Sequence, residues 1–325
     1  DKSGYTDITD NFFDFCAEMV SHDGYLFHKY LPDKSYGSSW HPWYKDGNIQ
    51  LPIQEDETAL VLDALWKKFK RYNNRSLIER LYPIFIKKAG DFLVSYRDKK
   101  TKLPLETYDL WEEKRGIHTF TCCTVYAGLM AAHNMAQKLG HKKESKTYLT
   151  AANEVKDAIL KHLYNKDTKL FVKRLYYNGN KLETDNTIDI STAYGLFEYG
   201  ILDVNDIRME ETMNKTLAAL HNPGQTGGYL RYEHDYYFKT RDDSKGNPWF
   251  IATLWVAEYH IARAKSFEDL QPVIDIFNWV VKHGHKSGSL PEQINPDTGE
   301  PLSVSPLTWS HAGYIIAIIK YLDKI

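Results

Sequence analysis

The chain has 325 residues, 42% hydrophobic and 26% charged, a globular balance that allows one large domain or two ordinary ones without disulfides or metals to complete a core. Its net charge of -2 gives no electrostatic footing for nucleic acid or an anionic membrane, and no apolar run reaches the ~18 residues of a membrane span. Cys16, Cys122 and Cys123 lack zinc spacing and the histidines lack His-Glu-x-x-His, so the thiols read as structural ones of a reducing, cytoplasmic compartment and no metal catalysis is indicated.

Helical periodicity dominates. The spacing predicts amphipathic helices over 6–21, 57–72, 76–97, 117–140, 142–164, 188–200, 207–221, 247–265, 267–284 and 306–323. Leu77, Leu81, Phe85 and Phe92 share a face of the third, and Phe250, Leu254, Ala257 and Ile261 a face of the eighth. Asp56, Asn74, Asn205 and Asn247 stand near helix starts as caps. Strand signals are sparse; residues 170–177 followed by Asn178-Gly179-Asn180 read as a short hairpin, because Asn-Gly favours the tight primed turn.

No Pro/Gly/Ser-rich linker divides the chain, so residues 1–325 are expected to form a single domain. Short links at 73–75, 140–142 and 265–267 alternate with long ones at 22–56, 98–116, 165–187, 222–246 and 285–305. The long links hold the Trp, Gly, Pro and acidic residues. That pattern describes antiparallel helix pairs around an axis, an all-α toroid or barrel with its function on the long-loop side.

The first long loop carries Ser38-Ser39-Trp40-His41-Pro42-Trp43 and then Leu51-Pro52-Ile53-Gln54-Glu55-Asp56-Glu57. Trp40 and Trp43 are expected to be exposed and to stack on sugar rings, while the acidic run at 55–57 reads as a helix start. The second loop carries Tyr108-Asp109-Leu110-Trp111-Glu112-Glu113, three carboxylates and an indole within five positions. Crowded carboxylates repel, so at least one pKa is expected to rise, and Glu112 is the expected group because Asp109 and Glu113 flank it and Trp111 limits its hydration. A protonated carboxyl beside an indole suits a general acid acting on a sugar; an acidic run that merely caps the following helix is the alternative.

The third constellation is Gly227-Gly228-Tyr229-Leu230-Arg231-Tyr232-Glu233-His234-Asp235-Tyr236-Tyr237, followed by Asn247-Pro248-Trp249-Phe250. Arg231 can fork two hydrogen bonds to sugar hydroxyls with flanking carboxylates holding it flat, or form a structural ion pair. The loop 239–247 offers Asp242 and Asp243 to a calcium ion, and no other cofactor is indicated. The fourth constellation is Ser287-Gly288-Ser289-Leu290-Pro291-Glu292-Gln293, where Pro291 fixes the backbone and Gly288 permits a close approach. Leu307-Thr308-Trp309-Ser310 then opens the last helix with another indole. Glu292 is a catalytic carboxylate or a turn residue.

Together these loops resemble glycoside hydrolase family fifteen, the glucoamylase family, especially its bacterial and archaeal members. The family's Asp-Leu-Trp-Glu-Glu stands unaltered at 109–113, and its Glu-Gln followed by an acidic turn and Leu-Thr-Trp-Ser runs from Glu292 to Ser310. Its Arg-Tyr-x-x-Asp-x-Tyr and Asn-Pro-Trp-Phe stand at 231–237 and 247–250, and the prokaryotic Ser-Trp-His-Pro-Trp…Gln-Leu-Pro-Ile-Gln-Glu-Asp reads through 39–56. The resemblance implies an (α/α)6 barrel and an inverting, exo-acting α-glucoside hydrolase that releases glucose from the non-reducing ends of α-glucan or maltooligosaccharides. It implies Glu112 as general acid and Glu292 as general base, roughly 6.5–9.5 Å apart to admit a water. Asp109, Trp111, Glu113, Arg231, Asp235 and Trp249 would line the glucose subsites, with Trp40, Trp43 and Trp309 adding rings. Trehalase and glucodextranase share these motifs, and a non-catalytic glucan-binding or regulatory toroid is the alternative of another class.

The family barrel has twelve helices and ten are expected here. The pair without a counterpart carries the family's Trp-x-Arg-Asp, which binds the non-reducing glucose in relatives and occurs nowhere in this chain. A truncated or divergent chain is therefore expected, with an open sector beside helices 6–21 and 306–323. Either a second copy of the chain or a neighbouring molecule is expected to cover that sector, a homo-oligomer in the first case, or the chain has lost its first segment.

Overall fold

Each amphipathic run forms its expected helix in the computed structural model, which describes residues 4–39, 42–45 and 47–325. In chain order the elements begin with α1 (Thr6–Met19), β1 (Tyr44–Lys45), β2 (Asn48–Ile49), α2 (Glu55–Tyr72), α3 (Arg75–Leu81) and α4 (Lys87–Ser95). Next come β3 (Thr107–Tyr108), β4 (Arg115–His118), α5 (Thr119–Leu139), α6 (Lys142–His162), β5 (Tyr164–Asn165), β6 (Leu170–Phe171), β7 (Arg174–Asn178) and β8 (Lys181–Asp185). The chain ends with α7 (Ile190–Glu198), α8 (Ile207–Leu220), α9 (Phe250–Arg263), α10 (Gln271–His283), β9 (Gln293–Ile294), β10 (Pro301–Leu302) and α11 (Thr308–Lys324).

The helix expected over 76–97 is one run broken by a π-helical turn, Tyr82–Ile86. Pro83 has no N–H to give the preceding turn, and the ladder widens so that the Lys87 N–H reaches the Tyr82 carbonyl. The short links end as tight turns: Asn73 and Gly140 both adopt left-handed φ, 49° and 84°. Of the expected caps, Asn74 accepts from the Leu77 N–H, whereas α8 is capped by Asp206, one residue past Asn205. Asp56 lies inside the first turn of α2, and α9 starts after Trp249, which frees Asn247 for other bonds.

Two compact units emerge, Asp1–Tyr164 with Arg174–Asp185, and Asn165–Lys173 with Asn186–Ile325. In the first, α2, α5 and α6 pack through small residues. A Cβ on Gly128 of α5 would stand 2.9 Å from the Cα of Ala59 on α2, so the two backbones can approach this closely only without a side chain there. Gly90 of α4 likewise seats the Tyr148 ring of α6, whose hydroxyl donates to Asp91. Strands β3, β4, β7 and β8 form an antiparallel sheet beside the second long loop. The expected hairpin is present, with Asn178 paired to Lys181, so Gly179 and Asn180 form the turn, one residue later than Asn-Gly suggested.

In the second unit Phe250, Leu254, Val280, Leu290, Ile294 and Ala317 make a fully buried cluster that joins α9, α10, α11 and the loop before β9. Gly313 of α11 lies against Ile251 and Leu254 of α9, where a Cβ would meet Ile251 at 2.7 Å. Among the described residues no helix is long and apolar enough to cross a membrane. All three cysteines are buried and free, and burial pushes the Cys16 thiol up to about 12.

Candidate active site

In the first unit the segment from Asp109 to Lys114 folds back on itself between β3 and β4. The Asp109 N–H donates to the Lys114 carbonyl, and the Asp109 carbonyl accepts from the Glu112 N–H at 2.8 Å. The buried Asp109 carboxylate closes the turn from inside, its Oδ1 accepting from the N–H groups of Glu113 at 2.8 Å and Lys114 at 2.9 Å. Glu112 at the apex has φ of 58°, a left-handed conformation that costs a non-glycine residue of the order of 1–3 kcal/mol and persists only where surroundings enforce it. Its side chain is 26% exposed. Trp111 is buried and Glu113 half-buried. The run is therefore a strained turn that presents Glu112, and α5 starts only at Thr119, so the cap alternative fails on position.

The first turn of α2 backs this loop. Gln54 donates its amide to the Asp109 carbonyl at 2.9 Å. Glu55 and Asp56 are buried, and no hydrogen-bond partner reaches either Glu55 carboxyl oxygen among the described residues. Burial, with Asp56 alongside, holds Glu55 well above the usual carboxylate range. Burial raises Asp56 to about 7, with added repulsion from Asp109 and Glu112, and raises Glu57 to about 8, with added repulsion from Asp56 and Glu112. The helix-start reading of 55–57 holds for position but missed this burial. Three acids ahead of an otherwise apolar helix face were the available signal.

Trp43 corrects the expectation of an exposed ring. It is 3% exposed and stacks on Tyr108 at 4.4 Å and 18°, so one face is already covered and the ring packs inside the unit. Its other neighbour is His28, edge to face at 5.3 Å, whose Nδ1 lies 3.7 Å from the Glu112 Oε2. Sequence reasoning did not single out His28. Trp40 and His41 lie outside the described residues.

In the second unit Arg231 and Asp235 are both buried and meet in a two-point pair, Nε to Oδ2 and Nη2 to Oδ1, each 2.8 Å. The guanidinium also lies over the Trp249 ring at 4.2 Å and near Tyr237 at 5.2 Å. The expected flat guanidinium is thus held by Asp235 and Trp249, while Glu233 instead accepts from the Ile188 N–H. Trp249 is buried under Arg231 and Trp309 is half-buried, edge to face with Trp255.

Glu292 stands where the last long loop meets α9. Its N–H donates to the Val304 carbonyl and its carbonyl accepts from Phe250, which opens α9. Its neighbour Gln293 is buried and pairs in the backbone with Trp249, and the Gln293 Oε1 accepts from Asn247 Nδ2 at 2.7 Å. The Glu292 Oε2 is buried without a hydrogen-bond partner among the described residues, an atom with acceptor capacity to spare. Ser310, opening α11, donates to the Pro291 carbonyl at 2.8 Å and fixes the residue before Glu292. Gly288 corrects a detail: nothing lies within 4 Å of a Cβ there, and its φ of 84° rather than a close approach is what calls for glycine. Asp242 and Asp243 belong to no metal-holding group of carboxylates among the described residues, and Asp243 instead faces Arg241 at 3.5 Å.

Residues 46–278 and 265–319 match the family model described as glycosyl hydrolases family 15. An uncharacterized glycosyl hydrolase of Methanocaldococcus jannaschii is 30% identical over 100% of this chain and 49% of its own length. Trehalase 2 of Sulfolobus acidocaldarius is 26% identical over 83% of this chain and 42% of its own. The chain thus spans about half the length of these curated relatives. In structure it is similar to a bacterial glucoamylase complexed with acarbose, with a TM-score of 0.78, 21% identity, and 99% of this chain and 47% of that chain covered. That likeness shows the fold, the helical-hairpin class of the glucoamylase toroids.

Proposed function

The chain belongs to glycosyl hydrolase family 15, and from that premise we propose that it hydrolyses α-glucosides with inversion, releasing glucose from the non-reducing ends of α-glucan or maltooligosaccharides. Glu112 is the general acid in this reading. It gives its proton to the glycosidic oxygen as the bond from that oxygen to the anomeric carbon breaks. Glu292 is the general base, taking a proton from the water that attacks the anomeric carbon on the opposite face, so the configuration inverts.

The observation that carries the reading is the strained turn at Glu112. A non-glycine residue at positive φ, its N–H bonded to the Asp109 carbonyl and the next two N–H groups bonded to the buried Asp109 carboxylate, is a device for holding one side chain in one place. The spare buried oxygen of Glu292 supports the second role, since a general base needs an acceptor that the fold leaves available. Arg231, Asp235, Trp111, Glu113, Trp249 and Trp309 contribute to binding glucose, with Asp109 acting mainly through the turn it closes.

A second reading, trehalose as substrate, is favoured by the Sulfolobus acidocaldarius trehalase among the relatives. Glucose release from maltose, maltotetraose, isomaltose and trehalose, with Glu112→Gln as control, tests both. Release from the maltooligosaccharides that the control abolishes supports the proposal; release confined to trehalose favours the second reading. No release from any of the four, with glucan binding retained, makes the chain a binding module.

A further inference from the structure

The surroundings of Glu112 contain one aromatic nitrogen base that the motifs do not account for. His28 lies in the first long loop with its side chain 3% exposed, and neither Nδ1 nor Nε2 has a hydrogen-bond partner among the described residues. Two unpartnered polar atoms on a buried ring are costly, so this imidazole serves something the resting structure does not complete. Glu112 lies beside it, Nδ1 to Oε2 at 3.7 Å.

The ring is held from behind. Trp43 meets it edge to face and itself stacks on Tyr108, the residue that leads into the Glu112 turn. The backbone around it is anchored as well. The Leu26 N–H donates to the Thr58 hydroxyl of α2, the Phe27 N–H donates to the Tyr30 hydroxyl, and Phe27 pairs with Ile53. Tyr108, Trp43 and His28 therefore form a column that begins and ends at the acid loop.

We propose that His28 is a positioning residue for Glu112, its Nδ1–H donating a hydrogen bond to the buried Oε2 of the Glu112 carboxyl and so leaving the other carboxyl oxygen to carry the proton that is delivered. This rests on the reading of Glu112 as the general acid. The present 3.7 Å contact becomes such a bond when the two atoms close by roughly 0.5–1 Å. Burial, with the Lys29 charge next door, lowers the imidazole's affinity for a proton and keeps the ring neutral, with one N–H to give. Of the other acidic groups about Glu112, Asp56 and Glu57 back it from the start of α2, and Asp109 caps the turn beneath it.

Two measurements test this independently. In the first, the His28 ring nitrogens are followed by NMR against pH in the wild-type chain and in Glu112→Gln, with no need for turnover. The Nδ1 signal is expected to respond to a carboxyl titration in the wild type and to lose that response in Glu112→Gln; identical curves overturn the proposal. In the second, His28→Phe, which keeps a ring against Trp43, is expected to lower kcat by about 10- to 100-fold with KM little changed, the scale of a misplacement near 1 Å. His28→Gln, whose amide N–H can donate again, is expected to recover part of the loss. Wild-type kcat in both variants, or a Gln variant no better than the Phe one, overturns the proposal. A wild-type chain that hydrolyses no glucoside rejects the Glu112 assignment instead, and the NMR comparison still decides whether His28 and Glu112 are coupled.

Discussion

Arg231 and Asp235 meet as fork on fork, two hydrogen bonds of 2.8 Å between side chains one helical turn apart in sequence but set in a loop, with both groups buried and Trp249 covering the guanidinium plane. Planarity matters here, because only a flat cation can satisfy the carboxylate edge and the indole face together. Arg231→Met leaves Asp235 buried without its partner, and the unfolding free energy is expected to fall by about 3–5 kcal/mol. Arg231→Lys keeps the charge but loses the fork, so a smaller loss of stability is expected together with weaker glucose binding. Urea denaturation and calorimetric titration with glucose measure the two effects. A lysine variant with unchanged glucose affinity removes Arg231 from the sugar site and leaves it a structural ion pair.

The acids at the start of α2 predict a specific pH dependence. Asp56, raised to about 7, and Glu57, raised to about 8, keep their protons in the folded chain at pH values where the unfolded chain has released them. Their contribution to stability is complete below the unfolded carboxylate range and is lost as pH rises through the folded values, so stability is expected to decline from about pH 4 to about pH 8, with Glu55, also held protonated by burial, adding to the slope. Glu57→Gln removes one of these titrations, and its urea midpoint is expected to fall less steeply across that window. A variant whose slope matches the wild type would show that Glu57 is not held protonated by the fold.

Gly128→Ala tests the packing that carries this helix turn. A Cβ there meets backbone of α2 at 2.9 Å, which no rotamer change relieves, so α2 must move. Overpacking of this kind is expected to cost about 1–3 kcal/mol in unfolding free energy. Since α2 carries Gln54, whose amide holds the Asp109 carbonyl, kcat is expected to fall as well. Unchanged stability would mean that the two helices are not in close contact in solution.

Much of the fold was legible in the sequence because helices announce themselves by period. Leu77, Leu81, Phe85 and Phe92 share a face in the chain and are buried together in the structure. What periodicity could not carry was local backbone chemistry. Pro83 opens a π turn inside a helix that the apolar spacing reads as continuous, and the hairpin turn slips one residue because Gly179 takes the first left-handed position. The site divides in the same way. Glu112 and Arg231 stood out because charge and aromatic residues cluster around them in sequence. His28 and the burial of Glu55 and Asp56 did not, since they reach the acid turn only through contacts between segments remote along the chain. Trp43 misled because an indole in a loop suggests exposure, while its packing on Tyr108 is a tertiary property.

An acid and a base acting on opposite faces of one glycosidic bond invert the anomeric carbon, and the anomer first released reports on this directly. Proton NMR of the reaction with maltotetraose, recorded before mutarotation mixes the anomers, is predicted to show β-glucose appearing first. Under the same conditions Glu112→Gln and Glu292→Gln are predicted to release none while still binding the sugar. α-Glucose appearing first, or release by either glutamine variant at the wild-type rate, would contradict the assignment.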